Sequence, residues 1–389
     1  MFNFLKKNKT KTIKSDDSFK YFDWSEEERK GVNFWINEQI ERCEKFDIDL
    51  TKYIKPDTHP IKAKWIATSL IDGVNEKFVF KMSRTEYEDE NQMIDLHEKY
   101  TNQIDEDYYV KFFKPDKIRQ IEDNKNYFIG AILGDICGSA WEFIEHEFDG
   151  NLLTVTSDFT DDSVLTMATY FAIKEDKQNP DFSKWYKKMF EKYPYKGYGS
   201  GFIRWASTYK DNGYGSFANG SAMRVSPVAV MYDDIEDVIR YAVKSAQVTH
   251  NHIDGVKGAV VTAVCIYMAK NDYTKEEIKG YLDKHYKYSK DQLNELSEGK
   301  LFYLIDSQNN FKTDHSLYCN FAVPYAIDMF LKTDNFEECM AAIVENFGDT
   351  DTVCAIVGSI CFAYYKLDYK TYAEVFETYL PEEFLNEMK

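Results

Sequence analysis

Two short stretches of the sequence place hydroxyl and carboxylate side chains directly before apolar runs. Their oxygen-bearing residues are Thr160, Asp161 and Asp162 in the first, and Asp349, Asp351 and Thr352 in the second. Apolar residues recur after each stretch at helical spacing, so each stretch lies at a predicted helix start. Ser, Thr and Asp at such a position cap the exposed N–H groups of the helix, which explains one acid per helix.

Capping does not explain why several acids crowd one turn. Like charges at this distance repel one another unless a cation holds them. Mg²⁺ prefers carboxylate, hydroxyl and water oxygens, and two such ions about 3.5–4 Å apart can clamp one substrate. The spacing leaves capping and metal binding both open as interpretations.

A third stretch, GAILGDICGSAWEF at residues 130–143, holds two patterns on one predicted helix. Its three glycines recur every four residues, so one helix face is bare and a second helix can pack closely against it. Asp135 and Glu142 share another face, where Asp135 is compatible with a solvated acid at a helix edge. Glu142 stands between Trp141 and Phe143, apolar neighbours that suit general acid–base work.

The stretch at residues 197–230 is rich in glycine, which lets backbone N–H groups approach a phosphate. Asn219, Gly220 and Ser221 precede a run that could begin a helix, a common anion-binding arrangement. A long flexible loop is the alternative interpretation. Arg224 could bind an anion or pin a neighbouring acidic turn.

The rest of the chain predicts how these stretches are positioned. Residues 1–20 are expected to be a disordered tail, 21–125 an N-terminal extension that is α or α+β, and 126–389 an all-α domain. Within the extension, EKFVFKM (76–82) and DYYVKFF (107–113) have the composition of short strands.

Composition limits the class of protein. The net charge is −18, of which residues 126–389 carry −15, and so negative a surface argues against a nucleic-acid groove. The seven cysteines form no C-x-x-C pair, which predicts reduced, mostly buried thiols. The opening residues MFNFLKKNKTKTIK lack the apolar region of a signal peptide, and no run approaches the roughly 18 apolar residues of a membrane span. We therefore expect a cytoplasmic protein that does not enter a membrane.

The order of the motifs GDxxG with a downstream Glu, TDDS, NGSAMRxxP, TH and GDTDT resembles the ADP-ribosylglycohydrolases, a family of helical enzymes. The resemblance covers roughly residues 126–389 and implies a site with two Mg²⁺ ions. The implied metal ligands are Thr160, Asp161, Asp162, Asp349, Asp351 and Thr352. The implied catalytic residues are Glu142 and Asp351, and the implied substrate-binding residues are Asn219, Gly220, Ser221, Met223 and His250.

The implied reaction is Mg²⁺-dependent hydrolysis of the C1″ glycosidic bond of an ADP-ribosylated protein or small molecule, with release of ADP-ribose. Two other interpretations compete with it. FGDTDTV echoes the D-x-D motif of haloacid-dehalogenase-type phosphotransferases, which requires a preceding strand. Alternatively, the chain is an immunity protein that neutralises an ADP-ribosylating toxin by binding it through residues 21–125.

Overall fold

The computed structural model describes residues 40, 43–44, 49–52, 105–123, 125–143, 148, 150–207, 213–286, 315–346 and 348–389. Its α-helices are α1 Glu106–Phe113, α2 Ile129–Gly138, α3 Asp161–Glu175, α4 Phe182–Lys192, α5 Ser200–Ala206, α6 Gly220–Met223, α7 Ser226–Met231, α8 Ile235–Gln247, α9 Ile253–Lys270, α10 Lys275–His285, α11 Cys319–Lys332, α12 Phe336–Val344, α13 Thr350–Tyr364, α14 Ala373–Tyr379 and α15 Glu382–Met388. Short 3₁₀ helices span Leu50–Lys52, His315–Leu317 and Tyr369–Tyr372.

The all-α prediction is confirmed. Within the described residues, the β structure consists of one isolated antiparallel bridge between Ala218 and Tyr318. The predicted strand at 76–82, the tail at 1–20 and most of the 21–125 extension lie outside the described residues.

The centre of the fold is the close packing of α2 against α13. A Cβ added at Gly134 would lie 2.1 Å from the carbonyl oxygen of Cys354, and one at Gly138 would lie 2.4 Å from that of Thr350. No side chain fits between the two backbones at these points, so glycine is required on α2. The predicted bare face is therefore confirmed, and the helix that packs on it is α13.

The remaining long helices surround this pair. The N-terminal end of α3 packs against α2 and α13, while α9 is buried over most of its length and contacts α8, α11 and α13. Buried apolar side chains from all these helices form one continuous core. The acidic starts of α3 and α13 thereby meet at the end of α2.

The segment 107–113, predicted as a strand from its aromatic and β-branched composition, is helix α1. Asp105 caps this helix by accepting the N–H of Asp107 at 3.0 Å. Tyr109 and Phe113 lie one turn apart on its buried face, with ring centroids 5.2 Å apart. The prediction was wrong because β propensity reflects packing context, and here α8 and α9 bury a helical face.

The chain between α1 and α2 is bound to the helical body by polar contacts. Arg119 forms a two-pronged ion pair with Glu277 at 2.6 and 2.7 Å. The Ile121 N–H donates to Asn271 Oδ1 at 2.7 Å, and the Tyr273 hydroxyl accepts the Arg119 N–H at 2.9 Å. Residues 105–123 thus pack as part of the helical body.

All seven cysteines lie among the described residues, and each is buried and outside any disulfide, as predicted. Among the described helices, none combines the length and the apolar character needed to cross a bilayer.

Candidate active site

The fold brings five acidic side chains to one place at the ends of α2, α3 and α13. Carboxylate oxygens of Asp135, Asp162 and Asp351 lie within 4.8 Å of one another. Oxygens of Glu142, Asp349 and Asp351 form a second group with the same limit. Asp351 belongs to both groups, so they are contiguous. We call them together the acidic centre; Asp161 lies beside it.

Asp135 is fully buried, so the interpretation of this residue as a solvated edge acid is wrong. Its carboxylate accepts the Thr160 N–H at 2.8 Å, the Thr160 hydroxyl at 2.7 Å and the Ser163 N–H at 3.1 Å. The Ser163 hydroxyl donates to the same carboxylate. Asp135 therefore binds the N-terminal turn of α3 to α2. Burial raises the pKa of Asp135 to about 6, although the bonds from Ser163 and Thr160 act in the opposite direction.

Asp162 has one satisfied and one unsatisfied oxygen. Oδ2 accepts the hydroxyls of Thr352 at 3.2 Å and Thr160 at 3.3 Å. Oδ1 is buried and has no hydrogen-bond donor among the described residues. A buried anionic oxygen without a partner is costly, and a cation is the simplest way to satisfy it.

Charge repulsion marks the whole acidic centre. Burial raises the pKa of Asp351 well above its usual range, and the charges of Glu142 and Asp349 raise it further. The pKa of Asp162 is raised by burial and then by the charges of Asp135 and Asp161. The pKa of the partly exposed Asp161 is also raised, by burial and then by the charge of Asp135. The fold thus holds together carboxylates that repel one another.

Glu142 is presented by a tight turn after α2. The next residue, Phe143, has a left-handed backbone with φ of 54°, which is rare for a bulky side chain. Its N–H donates to the Gly348 carbonyl at 2.8 Å, directly before Asp349. This bond fixes the Glu142 turn to the start of α13 and keeps Glu142 in the acidic centre. Such backbone strain is typical of functional sites.

Asn219 contacts the acidic centre directly. Its amide nitrogen donates to Asp349 Oδ2 at 2.5 Å and to the Ser316 carbonyl at 2.9 Å. The Ser316 hydroxyl in turn accepts the Asp349 N–H at 3.1 Å. Asn219 and Ser316 therefore orient Asp349, a positioning contact that the sequence did not predict for either residue.

The other predicted substrate residues surround Asn219. Met223 Sδ lies 3.9 Å from the Thr352 hydroxyl, which places Met223 beside the acidic centre. Ser221 is buried, and its hydroxyl donates to the Gly255 carbonyl at 2.7 Å. The Ser221 hydroxyl is thus already engaged within the protein, which leaves its backbone as the group that could meet a ligand.

Gly220 faces His250, because a Cβ on Gly220 would lie 3.2 Å from the imidazole ring. His250 is buried, and its Nδ1 lies 2.7 Å from the Thr249 hydroxyl. Burial, and then the charge of Arg224, lower the pKa of His250 well below its usual range. A neutral imidazole therefore lies next to the predicted phosphate-binding loop.

Arg224 itself is turned into the interior. Its Nη2 donates to the Ser245 carbonyl at 3.1 Å and to the Thr249 hydroxyl at 2.6 Å. Its guanidinium lies 4.1 Å above the Tyr186 ring. None of these contacts is with an acidic turn, and the buried Nε and Nη1 have no hydrogen-bond partner among the described residues. The surrounding stretch 197–230 contains α5, α6 and α7, so it is not a single long loop.

Residues 119–383 match the sequence model of the family described as ADP-ribosylglycohydrolase. The chain belongs to the ADP-ribosylglycohydrolase family. The resemblance seen in the motifs is thus confirmed. Moreover, the segment before Asp349 is helix α12, where a haloacid-dehalogenase-type motif would need a strand.

Individual proteins also resemble this chain. The chain is 25% identical to the mouse ADP-ribosylhydrolase ARH3 over 316 residues, which cover 64% of this chain and 85% of the mouse protein. It is 24% identical to the human ADP-ribosylhydrolase ARH3 over 308 residues, 61% of this chain and 84% of the human protein. A solved structure of an ADP-ribosylglycohydrolase-related protein complex aligns with 21% identity and a TM-score of 0.47, over 63% of this chain and 89% of that one.

Proposed function

We propose that this chain hydrolyses the C1″ glycosidic bond between ADP-ribose and an acceptor, releases ADP-ribose, and requires two Mg²⁺ ions. The observation that supports the proposal most strongly is the presence of two clusters of three carboxylates that share Asp351. The family assignment and the relatives named ADP-ribosylhydrolase supply the substrate class.

The side chains of the acidic centre suit a hard divalent cation. All of them offer oxygen, the ligand atom that Mg²⁺ prefers. The unsatisfied Asp162 Oδ1 and the mutual repulsion around Asp351 are both relieved by positive charge. The proposed ligands are Thr160, Asp161, Asp162, Asp349, Asp351 and Thr352. When bound, Mg²⁺ would supply charge stabilisation and orientation for the ribose hydroxyls.

Asp135 belongs to one of the two carboxylate clusters, yet we do not propose it as a metal ligand. Four donors from Thr160 and Ser163 already occupy its carboxylate. It holds the start of α3 in place, and through it Asp162. Orientation of ligands by such surrounding bonds is a general feature of metal sites.

Glu142 is the proposed general acid–base residue. Its carboxylate lies within 4.8 Å of oxygens of Asp349 and Asp351, so it faces the space where the ribose would bind. From there it can accept a proton from the attacking water or donate one to the leaving group. The strained Phe143 turn and its bond to Gly348 hold Glu142 at this place.

Asn219, Gly220, Ser221, Met223 and His250 are the proposed substrate-binding residues. Residues 219–221, where α6 begins, join the acidic centre through the bond from Asn219 to Asp349. A pyrophosphate bound by backbone N–H groups of these residues would place the attached ribose near Asp351. Neutral His250 adds no charge to this region and can offer a hydrogen bond.

The experiment offers the protein a panel of substrates ADP-ribosylated on arginine, on serine and on a nucleic-acid base, and measures released ADP-ribose with Mg²⁺ and with EDTA. We expect Mg²⁺-dependent release from at least one substrate. Glu142→Gln should bind Mg²⁺ as the parent does but turn over about 10²–10⁴-fold more slowly. Release at the parent rate by Glu142→Gln would contradict its role, and no release from any substrate would contradict the function.

The toxin-binding alternative is assigned to residues 21–125, most of which lie outside the described residues. No contact in the described part of the chain favours it, and we do not propose it.

A further inference from the structure

A buried lysine lies directly behind the acidic centre, in the turn between α4 and α5. The Lys196 side chain is only 6% exposed. Its ammonium donates to Asp158 Oδ2 at 2.7 Å and to the Phe159 carbonyl at 2.8 Å, and it lies 3.4 Å above the Phe159 ring. Its own carbonyl accepts the Asp161 N–H at 2.6 Å. One residue thus contacts three of the four residues at 158–161.

These contacts fix the segment that delivers the first acidic turn. Residues 158–160 have no regular secondary structure, and α3 begins directly after them at Asp161. Asp158 is also bound from α2, because the Ser139 hydroxyl accepts its N–H at 3.0 Å. Lys196 binds the same segment from the opposite side, so the segment is held between α2 and the 193–199 turn.

The conformation of that turn makes the arrangement possible. Gly197 follows with φ of 95°, a left-handed conformation that glycine adopts without strain. The chain bends at Lys196, and the carbonyl and the ammonium of Lys196 both contact the 158–161 segment. Burial of an ammonium is unfavourable unless it is paired, and here a carboxylate and a carbonyl compensate it.

This inference rests on the cation site of the proposed function. We propose that Lys196 is a positioning residue that determines where Asp162 lies. It thereby sets the cation affinity of the cluster formed by Asp135, Asp162 and Asp351. Lys196 forms hydrogen bonds to the 158–161 segment, and its positive charge also acts on Asp135. It acts through the 158–161 backbone, which leads straight into Asp162. The second carboxylate cluster, which contains Glu142 and Asp349, is built on the turn after α2 and the start of α13, so we expect it to depend less on this segment.

The test is a calorimetric titration of Mn²⁺ into the metal-free full-length protein and its Lys196→Met variant. Methionine keeps an unbranched side chain of similar length but removes the ammonium. Loss of a residue that orients metal ligands commonly lowers metal affinity 10–100-fold. We therefore expect at least tenfold weaker binding in one step of the titration. The step that belongs to the ion bound beside Asp349 should change less than threefold.

Lys270→Met is the matched control. Lys270 is also buried, and its ammonium likewise has a carbonyl partner, Val230 at 3.2 Å, and a carboxylate partner, Asp233 at 3.4 Å. Neither partner belongs to the acidic centre. This variant should lose stability as Lys196→Met does, yet bind Mn²⁺ with the parent affinity in both steps. A purely structural role for Lys196 would instead make the two variants alike.

Folding of each variant is checked by far-UV circular dichroism. If Lys196→Met does not fold, Asp158→Asn replaces it, because the amide keeps the shape and removes the charge that holds Lys196. Parent affinity in a folded Lys196→Met, or in Asp158→Asn, overturns the inference and leaves the proposed function intact. If the parent protein itself binds no Mn²⁺, the proposed function and the inference are both wrong.

Discussion

Replacing Gly134 by alanine would test whether the contact between α2 and α13 holds the acidic centre together. The new Cβ would lie 2.1 Å from the carbonyl oxygen and 2.5 Å from the carbonyl carbon of Cys354. Even close carbon–oxygen contacts measure about 3.3 Å, so the two helices would have to separate by about 1 Å. Both obstructing atoms belong to the backbone, so no side-chain rotation can relieve the clash.

The expected loss of stability is about 3 kcal/mol or more, at or above the upper end for overpacked cores, because a whole helix has to move. The same shift would move Asp135 on α2, and with it the start of α3 and Asp162, away from Asp351 on α13. Metal sites tolerate about 0.2 Å in ligand distance, so a 1 Å shift should weaken cation binding at least tenfold. Loss of stability and loss of cation affinity should therefore occur together.

The assay is urea unfolding in EDTA followed by tryptophan fluorescence, with Mn²⁺ titration of the folded protein. Gly280→Ala is the control, because Gly280 lies within α10 and a Cβ there would meet no atom within 4 Å. This control should gain about 0.5–1 kcal/mol. A Gly134→Ala protein within about 0.5 kcal/mol of the parent would refute the close packing of α2 on α13.

Two further predictions concern the part of the chain before α2. Burial between Phe113 and its neighbours, with Lys284 and Lys257 nearby, lowers the pKa of His285 from 6.5 to about 4. As the pH falls, this histidine is protonated in the unfolded chain before it is protonated in the folded protein. The free energy of unfolding should therefore fall by about 2 kcal/mol between about pH 6.5 and pH 4. In pH-dependent urea unfolding, His285→Phe should show a smaller fall, whereas an identical one would disprove the buried neutral imidazole. Separately, a chain that begins at residue 105 should unfold cooperatively on heating, whereas one that begins at 126 should be less stable because it lacks α1 and the Arg119 contacts; equal melting temperatures would show that these contacts contribute nothing.

The sequence predicted the helical class and the two acidic helix starts, because both are local patterns. Thr160 to Asp162 and Asp349 to Thr352 stand out by their crowding alone. The glycine spacing on α2 also predicted a close helix partner. It could not identify α13 as that partner, since the pairing joins residues more than 200 positions apart.

The residues that position the site could not be identified from the sequence. Asp135 resembles any acid on a helix until α3 presents its first turn to it. Lys196 is one of many lysines, and only the tertiary fold shows that it is buried. Segment 107–113 resembled a strand because its aromatic residues suit either structure, and packing against α8 and α9 decided the outcome.

A calorimetric titration of Mg²⁺ into the metal-free protein shows whether the acidic centre binds the proposed pair of ions. We expect two ions per chain. We also expect Asp351→Asn to lose both, because Asp351 belongs to both carboxylate clusters. Asp283→Asn, which changes an exposed acid on α10, should bind as the parent does. Parent-like binding by Asp351→Asn, or no binding by the parent, would show that the acidic centre is not a two-ion magnesium site.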